Sequence, residues 1–407
     1  LTKKTRKKMI ARFRILLPYL IWVRQGDTFV PEEFDRDGYR FKVYAPYQAP
    51  ASASTLADPM VTASDAIYAL HPADPPVIDT SVSLEGQPAA RANVVQIDVS
   101  KPEFDRQKTT SGNKGADDPP ISMLFEVLNS MLCRLRSLTR SAFIHAISQE
   151  GSSWRVEYLT DSGELLAQEE EKFKAKSSVA FSCQISGLAA KHWQALLGLP
   201  RDFQTKVWES LLLDAEAHLP DVVPAITLSA VALEVLIGNS LAALAPADHP
   251  AAELWHYINN RGDYHKEPSV AEEYDVLLRA LTGRSLKEEP VLWLAFRNLR
   301  SARNDLVHKG TVTIGGRPIT RHQAYELVGR AKEIAVWVES LLPGSAQRPA
   351  EIQCKLEIER QVLVNRTASP IAITMMEMAQ TVPGTHCVIS NDVMEKGPDK
   401  RNAEQEG

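Results

Sequence analysis

At 407 residues the chain is long enough for two or three domains with sizeable cores. A composition of 44% hydrophobic and 24% charged residues excludes a fibrous or wholly disordered chain. The formal net charge of -5 excludes the global basic field of many nucleic-acid binders, so any such contact must come from a local patch.

Cys133, Cys183, Cys354 and Cys387 lie far apart and form no CxxC pair. That spacing argues against a disulfide framework or a zinc site and points to a reducing, cytoplasmic compartment. No apolar run is expected to reach membrane-spanning length. The start, "LTKKTRKKMIARFRILLPYLIWVRQG", mimics a signal peptide but lacks a small-residue cleavage site. It reads as a first strand or short helix behind a basic leader (Lys3, Lys4, Arg6, Lys7, Lys8, Arg12 and Arg14). Such a leader is ordinarily a solvated tail; its other reading is phosphate contact. Leu at position 1 leaves open a fragment or an unusual start codon.

"MIARFRILLPYLIW" and the alternating "YRFKVYAPY" are predicted strands. Residues 46–120 are rich in Pro, Ala, Ser and Asp and read as long loops around one strand, "NVVQIDVS". A helix is predicted over "SMLFEVLNSMLCRLRSLTRS". A hairpin follows over "SWRVEYLTDSGELLAQ", and "KSSVAFSCQIS" continues the sheet. Residues 1–197 are therefore expected to form an α+β domain with a mostly antiparallel sheet.

From 201 to 343 the pattern becomes helical. Helices are predicted over "DFQTKVWESLLLDAEAHL", "DVVPAITLSAVALEVLIGNSLAAL", "PAAELWHYIN" and "SVAEEYDVLLRALTG", the last with Ser269 as cap. "EEPVLWLAFRNLRSARNDLVHKG" follows, closed by Gly310. "TRHQAYELVGRAKEIAVWVESLL" opens with a Thr320/Gln323 capping box. Its inner stripe is Ala324, Leu327, Val328, Ala331, Ile334, Ala335 and Val338. These elements predict an antiparallel bundle. Residues 345–407 read as a partly disordered extension with one strand, "CKLEIERQVLV".

The helix ending in "SARNDLVHKG" carries the chemistry. On a helical wheel Leu292, Ala295, Leu299, Ala302 and Leu306 face inward, whereas Arg297, Arg300, Asn304 and His308 face outward. Arg303 sits at the edge of the buried stripe, and its side chain leaves the axis about 140° from that of His308. A single helix does not aim both at one point. Metal-free RNA cleavage needs a base for the 2′-hydroxyl, an acid for the leaving oxygen and a cation for the phosphorane. Histidine serves as base or acid and arginine as cation. His308 is the expected base or acid, Arg303 the expected phosphorane cation, and Asn304 the residue expected to orient His308. Arg300 and Lys309 are expected to hold RNA phosphates. The paired carboxylates of a metal nuclease are missing from this helix end, so neither a metal nor a cofactor is expected. The bland reading is a solvated helix end whose cations answer the helix dipole.

Motif, following glycine and helix order together resemble the HEPN superfamily. "SAVALEVLIGNSL", with its Leu233-Glu234 pair, is similar to the earlier bundle helix of the Apea-like HEPN group. The resemblance covers about 201–343. It implies a nuclease site at Arg303, Asn304 and His308, assembled between two copies of the chain. It also implies metal-independent endoribonuclease activity leaving 2′,3′-cyclic phosphates, and a role in prokaryotic antiphage defence or stress. Residues 1–197 would be the sensing domain. The expected partners are RNA and a second copy, with no membrane. The alternatives are a non-catalytic nucleotide- or RNA-binding module and a protein-interaction scaffold.

Three lesser features complete the reading. Glu234, inside an apolar helix, would position Arg303 or Arg300, although a structural ion pair or a side chain reaching the surface is the favoured account. "NNRGDYHKEP" puts His265 near Asp263 and Glu267, a solvated loop before it is a metal site. His145, His192 and His322 have no supporting pattern.

Overall fold

The computed structural model describes residues 9–48, 78–101, 119–149, 152–160, 162–171, 186–245, 268–353 and 356–358. The chain divides into two compact units. One comprises Leu1–Leu128, Ile147–Gly198 and Ile352–Gly407; the other comprises Asn129–Ala146 and Leu199–Glu351. An antiparallel-sheet region followed by helices is thus the observed class.

The first unit is built on a long strand, β1 (Met9–Arg24). The run that mimics a signal peptide lies inside it, with Ile15, Leu16, Leu17 and Ile21 buried. The strand tolerates Pro18 because its register with the neighbouring strand shifts between Leu16 and Ile21, where a ladder N–H is not required. β2 (Glu32–Arg36), β3 (Tyr39–Val43) and β4 (Tyr47–Gln48) follow. Next come β5 (Ile78–Leu84) and β6 (Gln87–Lys101), where the sequence predicted a single strand. A two-residue turn joins them, with Glu85 and Gly86 both at positive φ, as a tight hairpin requires. β7 (Trp154–Thr160) and β8 (Leu165–Glu171) form the expected hairpin. β9 (Ser186–Leu188) pairs in parallel with β1. The path through the sheet is completed by β12 (Leu356–Ile358), which adds to β5 from the far end of the chain.

Period-two alternation gives β1 two faces. Ala11, Phe13 and Ile15 are fully buried. The Phe13 ring meets that of Phe125, 5.5 Å away, on α1 (Ile121–Thr139). On the other face Arg12 makes a two-pronged contact with Asp98 at 3.0 and 3.1 Å. Arg14 donates to Gln96 at 3.0 Å and to Glu157 at 3.2 Å. These two members of the basic leader are therefore strand residues engaged across the sheet and not a solvated tail. Lys3, Lys4, Arg6, Lys7 and Lys8 lie outside the described residues.

α2 (Ala190–Gly198) was not foreseen in the sequence. Asp27 accepts the Ala190 N–H at its start, at 2.6 Å. His192 is wholly buried. The Ala189 N–H donates to Nδ1 at 3.0 Å, which leaves the proton on Nε2 to donate to the Ile352 carbonyl at 2.7 Å. Burial pushes its pKa below the ordinary imidazole value. It is a satisfied structural histidine.

The second unit holds α3 (Val207–Ala217), α4 (Val222–Leu244) and a helix, α5, that changes pitch along its length. α5 starts as Val270–Glu272, passes through a π-helical turn over Glu273–Leu277 and resumes as Leu278–Thr282. α6 (Pro290–Lys309) and α7 (Arg321–Ser340) complete it. Between these two lies a short hairpin, β10 (Thr313–Ile314) with β11 (Arg317–Pro318). Both capping boxes, at Ser269/Glu272 and Thr320/Gln323, are formed. The core joins Trp208, Ile226, Leu233, Leu236, Phe296, Leu299, Leu327 and Ile334 from four helices. α7 buries all seven residues of its predicted stripe. Contrary to the expectation above, α4 is long and apolar enough to cross a membrane by length and composition; its Ile226, Leu233, Leu236 and Leu241 are buried in this helical core. The predicted helix over "PAAELWHYIN", the strand "KSSVAFSCQIS" up to Ile185, His265 with its acidic neighbours, and residues 359–407 lie outside the described residues.

Candidate functional site at the end of helix α6

α6 begins on Pro290, whose missing N–H costs nothing in a first turn. Ala295, Phe296, Leu299 and Ala302 face the core, and Leu292 and Leu306 pack against it. The helix closes at Gly310, where φ is +69° and the N–H bonds the Leu306 carbonyl at 2.9 Å. A Cβ there would touch nothing within 4 Å, so the conformation alone disfavours a side chain. Gly310→Ala is expected to cost about 1 kcal/mol. Unfolding in urea measures this, and an unchanged midpoint would contradict the left-handed cap.

The predicted site residues all lie on the last turns of α6. Arg303 and Asn304 are half-buried; His308 and Lys309 are exposed. The Arg303 Nη1 donates to the Asn304 Oδ1 at 3.3 Å, and its Nη2 lies 3.7 Å from a Glu234 carboxylate oxygen on α4. Asn304 is thus bonded to Arg303 and not to His308, the partner expected from helical spacing. Among the described residues no hydrogen bond or ion pair engages His308. Glu234 is about 30% exposed and lies against Arg303, in line with the favoured reading of an ion pair or a carboxylate reaching the surface.

Lys309 reaches back one turn to Asp305 at 2.7 Å. Asp305 also accepts the Thr313 hydroxyl of β10 at 2.5 Å. Lys309 and Thr313 hold the Asp305 carboxyl below its ordinary value. This arrangement braces the C-terminal turn of α6 against the hairpin that follows it. The Asp305–Lys309 spacing was readable in the sequence; the Thr313 contact needed the fold.

Arg300 lines a shallow depression with Ala230, Leu233, Glu234, Val270, Phe296 and Leu299. Its charge helps to hold Glu272 below the usual carboxylate range, after the Ser269 cap bonds that dominate that shift. Glu273, the first residue of the π-turn, was not singled out in the sequence. Burial and then the charge of Glu234 push its carboxyl up to about 6. The buried Tyr274 hydroxyl beside it donates to the Leu233 carbonyl at 2.8 Å.

Within one chain, then, Arg303, Asn304 and Glu234 form one flank of the helix end, and His308 stands on another. The flank offers a guanidinium with paired donors to an anion. The exposed imidazole can give or take a proton at the surface. Among the described residues no group of three or more His, Cys, Asp or Glu side chains is placed to hold a metal ion. No family model, curated protein or solved structure matches this chain.

Proposed function

We propose that the helical unit is a HEPN-type, metal-independent endoribonuclease acting as a homodimer in the cytoplasm, with the sheet unit as its sensor. The observation that carries this reading is the clustering of Arg303, Asn304 and His308 on the solvent-accessible last turns of one capped helix. The residue types suit 2′-hydroxyl attack: an imidazole for proton transfer, a guanidinium for the phosphorane and further cations for flanking phosphates. Arg300 and Lys309 would supply the last of these. Lys309 is 67% exposed, and among the described residues its one ion pair is with Asp305, which Thr313 still bonds if Lys309 turns to a phosphate.

The wide angle between Arg303 and His308 is the argument for two copies. The outer face of α6 carries exposed Val291 and Leu294, and Leu294, Ser301 and His308 follow one another at seven-residue steps along it. A second copy packed on that face would cover the apolar residues and His308; a composite site with the other copy's Arg303 is what the resemblance implies. A role in prokaryotic antiphage defence or stress belongs to the same proposal and rests on the resemblance alone.

A second reading, a non-catalytic RNA-binding or dimerisation module, is favoured by one observation: no described residue orients His308 for catalysis. Incubation of the purified protein with a mixed RNA pool in EDTA separates the two. Ends bearing 2′,3′-cyclic phosphate support the nuclease. Salt-dependent RNA binding with intact RNA supports the binding module.

A further inference from the structure

A net charge of -5 leaves any nucleic-acid contact to a local patch, and one lies just beyond the end of α6. Between Leu306 and Tyr325 the chain has no Asp or Glu but carries His308, Lys309, Arg317, Arg321 and His322. All five are exposed. The chemistry above uses the first two. Among the described residues no ion pair or hydrogen bond engages the side chains of Arg317, Arg321 or His322.

The hairpin that carries Arg317 is held firmly. Its base closes where the Ile319 N–H donates to the Val312 carbonyl at 3.2 Å. Val312 and Ile319 are both buried in the helical core. Lys309 and Thr313 meet on one Asp305 carboxylate, at 2.7 and 2.5 Å, which ties the hairpin to the last turns of α6. Ile314 pairs with Arg317, so only Gly315 and Gly316 lie beyond that pair. The arm from Val312 to Gly315 is three residue steps, about 10 Å at the strand rise. α7 starts directly after the base, with Arg321 and His322 in its first turn. The helix dipole disfavours cations there, so helix stability does not account for them. Residues that break a local rule are expected at functional sites. The acids that bound the patch in sequence do not neutralise it. Asp305 is taken by Lys309 and Thr313, and among the described residues Glu326 bonds neither Arg321 nor His322.

We propose that Arg317, Arg321 and His322 extend the helix end into a track for the phosphates of a single-stranded RNA. The inference rests on the RNA-binding reading of the helix end. A strand held at Arg303 and Lys309 runs past the last turn of α6, and its next phosphates meet the hairpin and the start of α7. Arginine suits this task, with a fixed charge and paired N–H donors for phosphate oxygens. Each phosphate neutralised on a single strand releases counterions and steepens the fall of log affinity with log salt by about 0.7. Two arginine contacts contribute about 1.4, which is about twenty-fivefold in affinity between about 1 M and 0.1 M salt.

The test is the affinity of the full chain for a short uridine-only RNA in EDTA, measured across a series of salt concentrations. All proteins carry His308→Ala, so that the RNA stays whole. Arg317→Gln with Arg321→Gln is expected to bind about twenty-fivefold more weakly at about 0.1 M salt, with a slope shallower by about 1.4. Arg317→Lys with Arg321→Lys keeps both charges and is expected to keep the parent's slope, which separates charge from packing. Arg330→Gln, about two turns further along α7, is expected to bind as the parent does. If the glutamine pair keeps the parent's affinity and slope, the inference is wrong while the RNA reading stands. If poly-glutamate of equal charge is held as tightly through the same arginines, the patch receives an acidic protein and its assignment to RNA is wrong. If the parent binds no RNA at any salt concentration, the RNA reading is wrong and the inference goes with it.

Discussion

His308→Ala is expected to lower RNA cleavage by about a hundred- to ten-thousandfold while leaving the fold intact. The imidazole is exposed, and among the described residues nothing bonds it, so its loss strands no partner. Stability should stay within about 0.5 kcal/mol of the parent. Thermal unfolding and cleavage assays on the same preparations check both halves. Arg303→Lys gives an independent view. It keeps the charge but loses the planar fork that reaches both Asn304 and Glu234, so cleavage should fall with RNA affinity partly retained. Equal cutting by the parent and His308→Ala would remove the nuclease reading and leave the binding module.

Much of the helical unit was legible because its signals are local. Thr320 and Gln323 sit three residues apart and cap each other, whatever the tertiary context. The stripe from Ala324 to Val338 needs only the 3.6-residue period. Gly310 was readable as a stop because few other residues adopt its φ. The sheet was harder. β5 and the Ala-rich start of β6 lack strand patterning because their ordering comes from neighbours. Ala89 and Ala90 are buried opposite Arg24 and Val23 of β1, and Leu84 opposite Leu356 from the end of the chain. Such pairings join residues far apart in the chain and leave no periodic trace. The candidate site divides in the same way. Arg303, Asn304 and His308 share one helix and were found from spacing, whereas the Thr313 bond that braces Asp305 depends on where the hairpin folds. Helical spacing placed Asn304 one turn from His308, but the nearer guanidinium of Arg303 took its carbonyl instead.

The largest expected loss of stability lies elsewhere, at Glu209. Its carboxylate is 1% exposed and is an ion-pair partner of Arg140 and Arg348. Ser137 donates to both of its oxygens at 3.3 Å. Arg140 continues to the Pro349 carbonyl at 2.6 Å. Arg348 stacks over Trp208 at 4.5 Å and pairs with Glu339 at 2.5 Å. The network thus fastens the end of α1 and the segment after α7 onto α3. Glu209→Ala leaves two buried guanidinium groups with one carboxylate, and breaking a buried pair in this way costs about 3–5 kcal/mol. That is a large share of a typical domain's stability, so unfolding should begin at much lower urea or temperature. Arg140→Met in the Glu209→Ala background should recover part of the loss, because the stranded charge is then gone. Recovery by the second substitution separates an electrostatic clamp from mere packing: a cavity left by Glu209 would be made worse, not better, by further change at Arg140. A loss below about 1 kcal/mol for Glu209→Ala would mean that water reaches these groups and that the helices are held by their apolar faces alone.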